Sequence, residues 1–196
     1  MTFFSLKEKL LAINKTIYFD HNDYLREKTT DPFKLKQVLA EAETYIEQAL
    51  ANLDKDKKYF LYGTIGNLFR ICEKPQTAIR YLEQNLHDVQ EDHHYTRIIV
   101  SLIRLGEAYK YNNDHERALY LFHQAINKCD VHTEGARYLD FALQHKGKCL
   151  LELKKGKEAM NCFENALRIR REKGEPSLIA STQSALDLAR KISGFS

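Results

Sequence analysis

The stretch Leu105–Ala125, LGEAYKYNNDHERALYLFHQA, decides how this chain is read. Gly106 is followed by an aromatic three residues on (Tyr109), then by Ala118 at +12, Phe122 at +16 and Ala125 at +19. The same offsets recur at Gly66, Phe69, Ala78, Leu82 and Asn85, and again at Gly147, Leu150, Ala159, Phe163 and Ala166. The three glycines stand 40 and 41 residues apart in a chain with only 8 glycines. Asn85 is the one clear departure. A period of 20–50 residues is the signature of a solenoid array.

The spacing has a physical reason. Small residues at +0, +12 and +19 remove side-chain bulk where two antiparallel helices cross, so that their axes approach to about 8–10 Å. The larger residues at +3 and +16 fill the volume beside those contacts. Glycine inside a helix costs roughly 1 kcal/mol relative to alanine, so its recurrence requires a packing role.

Working outward, no segment alternates like a strand for long, and nine helices are expected: 5–28 (with a break allowed), 32–53, 57–72, 75–90, 93–111, 114–129, 133–153, 156–173 and 176–192. The three prolines, Pro32, Pro75 and Pro176, each fall at a helix start, where the missing amide hydrogen has no partner to lose. Composition is that of a soluble protein, 43% hydrophobic and 29% charged. The net charge of +3 provides no concentrated basic face, which argues against nucleic acid and against a membrane surface. No apolar run reaches membrane-spanning length, and Lys7, Glu8 and Lys9 interrupt any signal-peptide core, so the expected location is cytoplasmic. Cys72, Cys129, Cys149 and Cys162 form no C-x-x-C pair and are expected to be free, mostly buried thiols.

These three segments resemble tetratricopeptide repeats. The resemblance covers roughly residues 59–173, and Ala42, Ile46 and Ala49 match the second-helix offsets of a degenerate earlier repeat. The family's tryptophan is replaced by Tyr62, Leu102 and Leu143, and its helix-ending proline by Gln90, Asp130 and Arg171. Without that proline the helices can run on, as in the long units of kinesin light chains and Gram-positive peptide-pheromone receptors, which these resemble. The resemblance implies an all-α, right-handed solenoid of stacked antiparallel helix pairs. It would comprise N-terminal helices with a degenerate repeat over 1–58, three repeats over 59–175 and a capping helix over 176–196. The stripe Leu6, Leu10, Leu11, Ile13 and Ile17 is expected to cap the other end.

In that family the first helix of each pair lines the concave side. The stripe facing it would be Phe60, Thr64, Asn67 and Ile71, then Val100, Arg104, Glu107 and Tyr111, then Phe141, His145, Lys148 and Glu152, with Arg70 on the edge. From these, Asn67, Arg70, Arg104, Tyr111, Phe141, His145 and Lys148 are the candidate residues for binding a protein or peptide. An asparagine amide both donates and accepts, and an arginine offers a fork for a carboxylate. The chaperone-tail clamp of the family is incomplete: Arg104, Phe141 and His145 stand where it has Asn, Lys and Arg.

Catalytic chemistry finds no footing. Asp92, His93 and His94 are adjacent on the chain and point to different faces, whereas a helical metal site needs histidines at i and i+4. No P-loop, dinucleotide fingerprint or nucleophile elbow occurs. The basic run Arg168, Arg170, Arg171 and Lys173 suits a helix C-terminus. The expectation is a non-enzymatic scaffold without cofactor or metal that binds a protein or peptide, a homodimer being one option. A peptide-sensing or response-regulator phosphatase-like protein and a self-assembling structural module are the alternatives.

Overall fold

The computed structural model describes residues 1–194. Nine α-helices run in chain order among the described residues: α1 (Phe3–Ile13), α2 (Pro32–Ala49), α3 (Lys55–Ile71), α4 (Pro75–Glu91), α5 (Tyr95–Tyr111), α6 (His115–Val131), α7 (Leu139–Glu152), α8 (Gly156–Lys173) and α9 (Pro176–Ile192). Between α1 and α2 stand two short antiparallel strands, β1 (Ile17–Asp20) and β2 (Arg26–Thr29), in the register Ile17–Thr29 to Asp20–Arg26. Helices pack as neighbours in sequence, α3 with α4, α5 with α6 and α7 with α8, each pair stacking on the next and α9 lying against α8.

The recurring glycines lie where the pairs close. A Cβ at Gly66 would stand 2.6 Å from Leu82 Cγ, one at Gly106 2.6 Å from Phe122 Cε1, and one at Gly147 2.5 Å from Phe163 Cε1. The residue met is in every case the +16 member of the same repeat, and all three are fully buried. Ala78, Ala118 and Ala159, at +12, are likewise fully buried.

Asn85, the exception to the pattern, sits without exposure and donates from Nδ2 to Ser101 Oγ at 2.9 Å. The polar intruder is thus paired across the α4–α5 contact through its amide nitrogen, while its Oδ1 is buried without a hydrogen-bond partner among the described residues.

The turns repeat as well. Seven residues after each glycine, Glu73, Asn113 and Lys154 adopt left-handed backbone with φ near 60°. There the chain closes its helix with a six-residue hydrogen bond, Lys74 N to Phe69 O, Asp114 N to Tyr109 O and Lys155 N to Leu150 O, each at 2.9 Å. Helix starts are capped by Asp31, Asp54 and Asp114, which accept from the amides of Lys34, Lys57 and Arg117. Pro32, Pro75 and Pro176 are each the first residue of a helix, as expected.

Three expectations need correction. The helix expected over 5–28 ends at Ile13, and residues 17–29 form the β-hairpin. The run Ile17-Tyr18-Phe19 favours extended backbone, and the turn formers Asn22 and Asp23 lie between the strands. Leu6, Leu10 and Ile13 of the N-terminal stripe are buried without exposure, but Leu11 is 46% exposed and Ile17 belongs to β1. The helix expected over 133–153 begins only at Leu139, because Thr133–Tyr138 form a 3₁₀ turn instead. Gly135 there faces Ile99 of α5 so closely that a Cβ would stand 2.5 Å from Ile99 Cδ1.

At the far end, Arg170 is 2% exposed and ties three helices together. Its Nε donates to Asp140 Oδ2 of α7 at 2.8 Å, and its Nη1 to Thr182 Oγ1 of α9 at 2.6 Å. The basic run at the end of α8 therefore contributes one buried structural cation in addition to charge at a helix terminus.

Candidate functional site

The first helices of the three pairs, α3, α5 and α7, together bound a cavity of about 280 Å³. Asn67 and Arg70 reach it from α3, Arg104 and Glu107 from α5, Phe141 and His145 from α7, and Glu27 of β2 borders it as well. Val100, Ile103 and Tyr138 supply apolar and aromatic wall. Five of the seven candidate residues, Asn67, Arg70, Arg104, Phe141 and His145, are thereby brought together. The other two, Tyr111 and Lys148, contact the hairpin. Two members of the expected stripe fall elsewhere: Phe60 packs edge-on against Phe3 of α1 with ring centroids 5.9 Å apart, and Ile71 is buried in the core.

A charged network crosses this face, with Glu107 at its centre. Lys110 Nζ lies 3.1 Å and His145 Nδ1 3.1 Å from Glu107 Oε1, and Arg70 Nη1 3.5 Å from Oε2. Burial by itself would raise the Glu107 carboxyl, but Lys110, His145 and Arg70 outweigh it and hold the group well below the usual carboxylate range. Burial lowers His145 despite that carboxylate, which favours the neutral ring.

Arg70 donates from Nη2 and Nε to Asn67 Oδ1, at 2.6 and 3.2 Å, and pairs with Glu27. Lys148 is 3% exposed, makes no ion pair among the described residues, and lies 3.9 Å from the centroid of the Phe19 ring. Burial, with Lys110 adding repulsion, pushes its ammonium down to about 8. Arg104 makes neither an ion pair nor a hydrogen bond among the described residues. Burial lowers it, and the charged neighbour that adds to this is Arg70.

The hairpin covers the C-terminal ends of the same three helices. Arg26 grips Glu152 with two parallel bonds, Nε to Oε1 at 2.9 Å and Nη2 to Oε2 at 2.7 Å, and also reaches the Lys110 carbonyl at 3.3 Å and Asn113 Oδ1 at 3.2 Å. The amide of Glu27 donates to the Tyr111 hydroxyl at 2.5 Å. The Tyr111 ring has the guanidinium of Arg70 at 4.6 Å and that of Arg26 at 5.1 Å from its centroid. Burial drives the Tyr111 hydroxyl up to about 12 even though Arg70 and Lys110 oppose the shift, so it stays protonated and available as a donor. Leu25, beyond the strand end, is 4% exposed among Leu150, Leu151 and the apolar residues of α8 and α9.

Sequence reasoning missed Arg26 and Glu27 altogether, because a helical reading of 5–28 placed them on no particular face. Glu107 and Glu152 were on the expected stripe without being singled out. Three of the cysteines, Cys129, Cys149 and Cys162, are buried, and burial pushes each thiol up, as inert core thiols require. No helix among the described residues is long and apolar enough to cross a membrane.

Residues 142–173, the α7–α8 pair, match the family model of the tetratricopeptide repeat. Among solved structures the chain resembles BtubC from P. vanneervenii, at 16% identity and a TM-score of 0.67, over 97% of this chain and 85% of that one. It also resembles a protein of Podosopora anserina assigned as a kinesin light chain with nearly identical tetratricopeptide-like repeats, at 13% identity and a TM-score of 0.66, over 98% and 89% of the two chains. At these identities the likeness is one of fold. No curated protein matches the chain in sequence.

Proposed function

We propose that this tetratricopeptide-repeat chain is a non-enzymatic scaffold which takes an extended segment of a protein or peptide on the face formed by α3, α5 and α7. The division proposed with it is an N-terminal part over 1–58, three repeats over 59–175 and a cap from 176. The fold is that of an interaction scaffold in general. The observation that carries the more specific reading is the arrangement of the candidate residues: five line one cavity, and the other two already hold a stretch of non-repeat chain. A face that accommodates one extended segment through side-chain seats and a tyrosine hydroxyl is suited to hold another.

Arg104 supports the same reading. The carboxylates of the same cavity, Glu27 and Glu107, pair with other side chains and not with Arg104, so a polar or acidic group of the guest would complete it. The apolar wall of Val100, Ile103 and Phe141 would take an adjoining apolar side chain.

The test is selection of a displayed random peptide library on the intact chain, with each enriched peptide then measured on wild type and on Asn67→Ala/Arg104→Ala. The proposal expects enriched peptides whose affinity drops at least tenfold on the double variant. A library that enriches nothing, or peptides indifferent to the double variant, would overturn it.

A further inference from the structure

The hairpin is a segment outside the repeats that lies on the repeats' own binding face. We infer that it stands where a partner's segment stands, and that the partner it fits is a bend running into an extended stretch: an apolar residue in left-handed backbone, then an arginine and a glutamate, as in Leu25-Arg26-Glu27. This inference rests on the scaffold reading above and adds the chemistry of the guest.

The seats belong to the repeats and are already shaped. The carboxylate of Glu152, 4% exposed, is held by His115 Nε2 at 2.8 Å and has Lys110 Nζ at 3.6 Å, independently of Arg26. Arg70 is aimed by Asn67 and faces Glu107, independently of Glu27. Each seat therefore offers one charge to whatever enters, Glu152 to a guanidinium and Arg70 to a carboxylate. Their spacing suits adjacent residues of an extended chain, because Arg26 and Glu27 occupy them together. The apolar seat is the buried cluster of α7, α8 and α9 residues, Leu150 and Leu151 among them, that Leu25 joins.

The hairpin, for its part, is held in a conformation it would not choose alone. Tyr24 and Leu25 are consecutive non-glycine residues in left-handed backbone, φ 50° and 61°, a region that side chains disfavour. A two-stranded hairpin is at best marginal in isolation. Its attachment to the helices runs through side chains and through Tyr111, while the strands' own ladder pairs only β1 with β2. Such an element can leave the face without unravelling a helix. A tethered occupant competes with a free one at high effective concentration, so the face is masked until a segment with the same three residues displaces it.

The probe is the labelled peptide YLREKT, residues 24–29, titrated by fluorescence anisotropy into the intact chain and into Arg26→Ala/Glu27→Ala. The double variant is expected to bind it at least tenfold more tightly than wild type. Alanine at the arginine or the glutamate of the peptide should cost at least tenfold. Equal affinity for both chains, or no binding to a double variant that keeps its helical circular dichroism, overturns the inference.

Hydrogen exchange on the wild-type chain provides a readout that does not depend on the variant folding. The amides of 17–29 should exchange at least tenfold faster than those in the middle of α5, and equal protection overturns the inference. Should library peptides bind in the cavity while YLREKT fails on the folded double variant, the scaffold stands and only the hairpin reading falls. A library that enriches nothing on either chain removes the scaffold reading itself.

Discussion

Replacing Gly106 by alanine tests the packing on which the array depends. The added Cβ would stand 2.6 Å from Phe122 Cε1 and 3.0 Å from Cδ1 and Cζ. To restore an ordinary contact of 3.4 Å the ring edge must retreat by roughly 0.8 Å. Phe122 has no exposed surface to move toward, and the His145 ring lies on one side with centroids 6.3 Å apart. Overpacking of this kind costs about 1–3 kcal/mol. Alanine regains roughly 1 kcal/mol of helix propensity. The net expectation is a loss of about 1 kcal/mol and at most about 2, a fall in melting temperature of about 2–4 °C per kcal/mol in a chain of this size.

Urea unfolding followed by far-ultraviolet circular dichroism measures the change, and a mutant cycle with Phe122→Leu assigns it. Leucine at 122 makes room for the methyl, so the coupling between the two substitutions should be favourable by at least about 0.5 kcal/mol. A Gly106→Ala chain that is more stable than wild type by about 1 kcal/mol, with no coupling to Phe122, would show the glycine to be an ordinary helix position. The explanation of the repeat spacing would then be wrong.

Two further outcomes follow from the buried charges. Asp140→Ala leaves the guanidinium of Arg170 buried without its carboxylate and should destabilise by about 3–5 kcal/mol, whereas Asp140→Leu combined with Arg170→Met should cost less than that single change; thermal unfolding of the three chains decides it, and a mild Asp140→Ala would contradict the buried pairing. Lys148 has its folded value near 8 and its ordinary value near 10.5, so between those pH values the unfolded chain binds more protons and stability due to this group rises as pH climbs. Relative to Lys148→Met, the wild type should gain about 1–3 kcal/mol from pH 8 to 10.5, a comparison in which the cysteines and tyrosines common to both chains cancel; parallel stability curves would show Lys148 to be solvated.

Much of the architecture was legible in the residues because it is local and repeated. A helix pair is specified by small and large side chains at fixed offsets, and the three copies of Gly–Ala spacing state the same packing three times. Proline and aspartate at helix starts are equally local signals, since each acts on the amides of its own first turn. The family resemblance supplied the concave side of the first helix in each pair, and helical periodicity then placed Asn67, Arg104, Phe141 and His145 on its inward stripe with Arg70 at the edge; the cavity is lined by these five.

Tertiary structure alone decided what covers that stripe. The run Ile17-Tyr18-Phe19 could have announced a strand, but nothing near it in sequence says that Arg26 meets Glu152, 126 residues away, or that Glu27 meets Arg70. Burial of Arg170 against Asp140 and Thr182 has the same character. Opposite charges attract without regard to spacing along the chain, so their partners are chosen by the stacking of helices rather than by any period. The repeat is a property of neighbouring residues; the pairing of charges on its face is a property of the folded whole.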